Sequence, residues 1–172
     1  MHVRPAAAQD LPPIQSIYAH HVLNGLASFE EAAPPAEEMR RRYEDITRRG
    51  LPYLVAEEKG EVLGYGYCTL YRARSAYRYT LEDSIYVKPG MQRKGIGKAV
   101  LAGLIARSTA LKYRQMIAVI GDSANAASIA VHASLGFVRA GNLRSTGYKF
   151  GRWVDTILMQ LPLGEGDGTK PE

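Results

Sequence analysis

Apolar residues recur along this chain at two spacings, one helical and one strand-like, and the switches between them outline its elements. Ile14, Ile17, Tyr18 and His21 fall on one helical face. Asp10 stands before them as an N-cap, Pro12 and Pro13 suit a first turn, and Gly25 marks the stop. Pro34 and Pro35 open a second helix with Met39, Tyr43 and Ile46 inward, stopped at Gly50. The spacing then shortens. Residues 53–57, a Lys59-Gly60 turn and residues 62–71 read as a hairpin, with 81–87 as a third strand. Residues 95–111 return to helical spacing, with Ile96, Val100, Leu101, Leu104 and Ile105 on one side. A short buried strand at 116–120, a helix at 126–135 and strands at 137–143 and 153–161 complete the pattern. The predicted order is a strand, two helices, three strands, a helix, a strand, a helix and two strands. That order implies an α/β (α+β) fold, a mixed sheet with helices on both faces.

Composition narrows this picture only modestly. The chain has 172 residues, 46% of them hydrophobic and 23% charged, which suits one domain with its own core. Cys68 is the single cysteine, so no internal disulfide can form, and its apolar surroundings predict a core residue. No apolar run approaches the ~18 residues of a membrane span, and the N-terminus lacks a signal-peptide pattern. The expectation is a cytoplasmic protein with no membrane association. Gly164 to Glu172 is polar and glycine-rich and reads as a disordered tail after a domain covering 1–163.

The net charge of +5 is uneven: residues 1–86 sum to −2 and residues 87–172 to +7. A basic half can hold an anionic ligand. Basic runs interleaved with aromatics are missing, so nucleic acid is not the expected partner.

The densest chemical signal is the run Ile85-Tyr86-Val87-Lys88-Pro89-Gly90-Met91-Gln92-Arg93-Lys94-Gly95-Ile96-Gly97-Lys98. A strand leads into a loop and then into a helix opened by glycine. Unpaired N–H groups at a helix start attract phosphate, and glycine lets the backbone come close to it. Arg93, Lys94 and Lys98 add positive charge. A P-loop would require glycine at 92 and a hydroxyl residue at 99, where Gln92 and Ala99 stand. A dinucleotide fingerprint would require a small residue where Val100 stands.

Gln92-Arg93-Lys94-Gly95-Ile96-Gly97 resembles the Gln/Arg-x-x-Gly-x-Gly/Ala signature of the GNAT acetyltransferases. The resemblance continues through Asn125-Ala126-Ala127-Ser128, His132 and Gly136-Phe137. It is closest to the branch of phosphinothricin and methionine sulfone/sulfoximine N-acetyltransferases, carried also by residues 80–87 and 147–155. It implies a GNAT fold and acetyl-CoA as cosubstrate, with no metal. The signature loop would grip the pyrophosphate. Ile85, Tyr86 and Val87 would pair with the pantetheine arm, and Asn125, assisted by Ser128, would bond it. It further implies a homodimer and acetylation of the α-amine of a small amino acid analogue. A phosphinothricin-like compound, including arsinothricin, is the first expectation, with resistance as the outcome. Methionine sulfone or sulfoximine acetylation is the alternative within the branch, and a protein N-terminal acetyltransferase is third. A CoA-binding or nucleic-acid-binding module without turnover is the alternative outside it. The branch usually has histidine where this chain has Asp83.

Acetylation of an amine needs a base. Glu82 alternates with Ser84 and Tyr86 on one strand face, whereas Asp83 faces the other way and reads as structural. By the resemblance, His132 would donate a proton to the departing CoA thiolate. Arg72 and Arg74, two apart in a loop with Ser75 and Tyr77, form a candidate anion clamp. Phe29 resembles the branch's substrate-wall phenylalanine. His2, His20 and His21 form no ligand set with acidic residues, so no metal site is expected.

Overall fold

The computed structural model describes residues 1–171. Strand β1 (His2–Pro5) is followed by helices α1 (Leu11–Asn24) and α2 (Ala36–Arg48). Then come strands β2 (Tyr53–Glu58), β3 (Glu61–Leu70) and β4 (Thr80–Val87) and helix α3 (Ile96–Ala110). Strand β5 (Gln115–Gly121), helix α4 (Ala126–Ala133) and strands β6 (Val138–Lys149) and β7 (Arg152–Pro162) close the chain. The element order matches the sequence expectation, with single 3-10 turns added at Ala8–Asp10 and Ser75–Tyr77.

All seven strands form one sheet in the order β1-β2-β3-β4-β5-β7-β6. Every pairing is antiparallel except β4 with β5. That parallel pairing runs from Thr80 opposite Gln115 to Asp83 opposite Ala118 and goes no further. Beyond it the two strands separate, because β4 continues along β3 while β5 continues along β7.

The two sheet faces are packed differently. α3 covers one with Val100, Leu101 and Leu104, all buried, and Cys68 lies fully buried beneath Ser108 of this helix. On the other face α1 and α2 rest on tyrosines. Tyr53 stacks on Tyr67 at 5.1 Å, Tyr65 on Tyr86 at 5.3 Å, and Tyr18 meets Tyr86 edge-on at 5.0 Å. Such rings bury large areas while their hydroxyls keep a polar end.

Three sequence expectations differ from the structure. Asp10 does not cap α1 with its side chain. It accepts two hydrogen bonds from the Arg4 guanidinium, at 2.7 and 2.8 Å, and one from the Ala7 N–H at 2.8 Å. A paired guanidinium outcompetes a cap because charge-assisted bonds are the stronger kind. Strand β6 runs to Lys149, not to residue 143. Its residues from Val138 to Arg144 are mostly exposed, so the alternation that betrays a strand is missing, and two register shifts break its pairing with β7. A tight turn at Phe150 and Gly151, with φ of 51° and 72°, joins the pair. The segment from Gly164, read as a disordered tail, turns back in its described part. The Arg114 guanidinium donates to the Gly166 and Lys170 carbonyls and to the Thr169 hydroxyl. Glu172 lies outside the described residues. No helix among those described is long and apolar enough to cross a membrane.

The Arg4–Asp10 pair, extended by an Arg4–Glu57 contact of 2.6 Å, ties β1 and α1 to β2. The Arg4 hydrogen bond holds the Asp10 carboxyl below its ordinary value, against burial that pushes it up, and the Ala7 N–H adds to the lowering. A lowered pKa stabilises the fold above the unfolded value of about 3.9, and the effect is lost as pH falls through the folded value. Asp10→Asn is therefore expected to lower stability by about 1–3 kcal/mol at pH 7. The deficit relative to wild type should shrink below about pH 4. Urea unfolding at both pH values measures it, and an unchanged midpoint at pH 7 would remove this pair from the account.

Candidate active site

The separation of β4 from β5 opens a groove. Ser84, Ile85 and Tyr86 line it from β4, Val119 and Ile120 from β5, and Asn125 and Ser128 from the start of α4. The buried Asp83 and His132 line it as well. Beyond Asp83 the β4 edge that faces β5 has no ladder partner among the described residues, so an extended, amide-bearing chain fits there as an inserted strand would.

The loop from Lys88 to Gly95 leads from β4 to the first turn of α3. Gly90, Arg93 and Gly95 are left-handed, at φ of 79°, 63° and 78°. Gly95 is the N-cap of α3 without a side-chain cap, which leaves the first helical N–H groups free to bind an anion. Gln92, Arg93, Lys94 and Lys98 are exposed around this helix start, and Ile96 is buried beneath it. Val87 is held from behind, since His21 donates Nε2–H to its carbonyl at 2.8 Å. Asn125 is the N-cap of α4, and its Oδ1 accepts the Ser128 N–H at 3.2 Å. Its amide N–H₂ is the end left to meet a ligand.

Glu82 and His132, the two expected catalytic residues, lie on opposite sides of β4. Glu82 is directly across from Thr69 on the tyrosine face. Thr69 borders a cavity of about 180 Å³ whose wall includes Tyr18, Arg42, Tyr53, Tyr65 and Tyr67. Burial pushes the Glu82 carboxyl above its ordinary pKa, the Asp83 charge adds to the rise, and Arg72 opposes it. A carboxylate raised in this way is a stronger base. Asp83, read from sequence as merely structural, is the partner of His132: Nε2 lies 3.0 Å from Oδ2. Both side chains are nearly inaccessible, and Asp83 Oδ1 is buried without a partner.

Arg72, Arg74, Ser75 and Tyr77 all lie on one exposed loop before β4. The Arg72 guanidinium sits 4.9 Å from the centre of the Tyr71 ring, and Tyr77 packs edge-on against the same ring. Phe29 packs over two glycines. A Cβ on Gly121 would come within 3.0 Å of its ring, and one on Gly147 would overlap it.

Sequence reasoning missed what holds Phe29. The Lys149 side chain is 1% exposed, and its ammonium donates to the carbonyls of Val22, Gly25 and Ser28 at 2.7, 2.9 and 2.7 Å. Tyr18 donates to Glu30 at 2.8 Å, and Arg42 donates to the same carboxylate at 2.6 Å. These contacts span up to 127 residues, and no local pattern announces them.

Among the described residues the sheet splits beyond its one parallel pairing, and the uncapped start of α3 follows from the same strand, an arrangement that fits an acyltransferase drawing on a CoA thioester. The chain belongs to the acetyltransferase (GNAT) family, whose model matches residues 19–137. Among curated proteins it is 56% identical to a phosphinothricin N-acetyltransferase of Alcaligenes faecalis, over 99% of this chain and 86% of the relative. It is 39% identical to an L-methionine sulfoximine/L-methionine sulfone acetyltransferase of Salmonella typhimurium, over 96% of each. Among solved structures, a GNAT superfamily phosphinothricin acetyltransferase of Sinorhizobium meliloti in complex with AcCoA is 52% identical. It superposes with a TM-score of 0.95, covering 99% of this chain and 92% of that one. The protein is an acetyl-CoA-dependent N-acetyltransferase.

Lys149→Met keeps the length and removes the donor, leaving three carbonyls short of a partner. Each buried orphan costs about 1–3 kcal/mol. A loss of about 3 kcal/mol or more is expected in denaturant unfolding, with faster amide exchange in residues 25–29. Native stability and exchange in the variant would show that the loop does not depend on this lysine.

Proposed function

We propose that the protein acetylates the α-amine of a small anionic amino acid analogue of the phosphinothricin type. The observation that carries this reading is the 56% identity to a phosphinothricin N-acetyltransferase over nearly the whole chain, joined to a pair of exposed arginines, Arg72 and Arg74, on the loop that enters β4. Acetyl-CoA supplies the thioester. The loop at Gln92–Lys98 receives its pyrophosphate, and the opened edge of β4 at Ile85–Val87 receives its pantetheine arm together with Asn125 and Ser128. Glu82 takes the proton of the acceptor ammonium, directly or through water, from the tyrosine face. Phe29, Arg72, Arg74, Ser75 and Tyr77 receive the acceptor.

The exposed apolar side chains Val138, Leu143, Tyr148 and Trp153 on β6 and β7 favour a homodimer through this end of the sheet. Cytoplasmic residence and resistance by acetylation belong to the same reading.

Methionine sulfone acetylation is the second reading, favoured by the 39% identity to enzymes of that name. The two differ in charge. Beyond its amino-acid head, methionine sulfone is neutral, whereas phosphinothricin carries a phosphinate. A second fixed cation favours the phosphinate by about 1.5–3 kcal/mol, or one to two powers of ten. Steady-state kinetics should give a higher kcat/KM for phosphinothricin, and Arg74→Phe should shrink or invert the preference. A wild type that prefers the sulfone, or a ratio indifferent to the substitution, would return Arg74 to the solvent.

Glu82→Gln preserves shape and removes the base. The rate should fall on the order of a hundred- to ten-thousand-fold, with acetyl-CoA affinity retained and partial recovery at high pH, where more free amine exists. A near-normal rate at neutral pH would take the base role away from Glu82.

A further inference from the structure

The ring nitrogens of His132 each face an acceptor. Nδ1 lies 2.8 Å from the Ser128 carbonyl oxygen, which can only accept. Nε2 lies 3.0 Å from Asp83 Oδ2. A neutral imidazole has one N–H for these two oxygens. A neutral ring beside an ionised carboxylate is therefore one proton short of filling both contacts. We infer that Asp83 is a positioning residue for the acid half of the transfer: it anchors Nε2–H of a doubly protonated His132 and so makes the proton on Nδ1 the one that can leave. The inference rests on the acetyl-transfer reading of the same groove.

The exit from Nδ1 is visible. Ser128 Oγ lies 3.5 Å from it, and Ser128 and His132 both line the groove. As the amine nitrogen bonds to the acetyl carbon, the C–S bond breaks with its electron pair on sulfur. The sulfur takes a proton handed on by the Ser128 hydroxyl, which is replenished from Nδ1. The ring is left neutral with Nε2–H still donated to Asp83, which is the tautomer the carboxylate prefers. Solvent then restores the Nδ1 proton. Of the two protons lost by the acceptor ammonium, one thus balances the proton gained by sulfur and the other reaches bulk water.

The charges around the ring support this. Burial pushes the imidazolium down, but the Asp83 hydrogen bond, the Asp83 charge and the Ser128 carbonyl together outweigh it and leave His132 above its ordinary value. From β4 the facing charge is Asp83, with Glu82 on the opposite face. From β3 it is the Cys68 thiol, which burial keeps neutral; Ser108 of α3 and the Phe137 ring, 5.0 Å from His132, carry no charge. An acid raised in pKa stays loaded at the alkaline pH where an acceptor amine is free, and it comes nearer to a thiol, at about 8.5.

Two measurements test the assignment. Imidazole ¹⁵N spectra of the wild-type enzyme should show His132 protonated on both nitrogens at neutral pH, titrating above about 6.5 to the Nε2–H tautomer. A ring that is neutral at neutral pH, or that becomes Nδ1–H on titration, overturns the inference without any variant. In Asp83→Asn the ring should titrate at least about one unit lower, and the alkaline limb of the kcat profile should move down with it while KM for acetyl-CoA stays within about twofold. An unmoved limb in a folded variant also overturns it. Failure to acetylate any amine would instead overturn the acetyl-transfer reading, since the ring spectra do not depend on turnover.

Discussion

Everything at the site depends on the place where β4 and β5 part. Their pairing stops at Asp83 and Ala118, and from there each strand follows a different neighbour. Backbone polar groups left open in a protein interior are costly unless something pairs with them. An opened strand edge is therefore stable only if solvent or an extended ligand can reach it. The last paired residue, Asp83, is also the one whose carboxylate receives His132, so the end of the ladder and the buried pair coincide. The loop from Lys88 to Gly95 then turns the chain so that α3 begins beside the same opening. One interruption in the sheet supplies the groove, and the chain that leaves it supplies a helix start suited to an anion.

The acceptor side is built on a different principle. The connection between α1 and α2 has no regular secondary structure over Phe29, and it is fixed by side chains from its two flanking helices and from one distant strand. Lys149 reaches it from β6, Arg42 from α2 and Tyr18 from α1. A lysine ammonium offers three donors, and here three carbonyls take them all. Such a loop is rigid only as long as its anchors hold. Backbone shape at Phe29 is thus fixed by side chains of the same chain. The loop carrying Arg72 and Arg74 is exposed from Arg72 to Arg78.

The elements were legible in the sequence wherever burial was one-sided. Helical spacing located α1 to α4, and the Lys59-Gly60 turn located the hairpin. The glycine signature located the start of α3, and strand alternation put Glu82 on a face of its own. Legibility failed where a residue's role is set by a partner far along the chain. Asp83 is 49 residues from His132, and only the fold brings the two to 3.0 Å. Asp10 sits where a cap belongs, yet it is claimed by Arg4 from the preceding strand. β6 hid because its residues from Val138 to Thr146 are mostly exposed on both faces, so neither period 2 nor burial distinguishes that stretch. Lys149 lies in a segment that reads as turn and surface, and nothing local shows that its ammonium is buried.

The adjacency of Glu82 and Asp83 raises a final physical point. Two carboxylates next to each other in sequence would repel strongly on one surface, and one would hold a proton. A strand sends successive side chains to opposite faces. Glu82 therefore emerges among tyrosines and below the arginine loop, and Asp83 emerges beneath α4 against His132. Their repulsion survives only as a secondary contribution to the rise in the Glu82 pKa, after burial. The separation also serves proton traffic. A base that must be empty and an acid that must be loaded would exchange their proton if they touched. With β4 between them, the carboxylate proposed to accept from the amine and the imidazolium proposed to supply sulfur can hold opposite protonation states at one pH. Histidine in place of Asp83 would put two imidazoles together at this spot. Asp83 instead gives the ring a carboxylate oxygen at 3.0 Å as its partner.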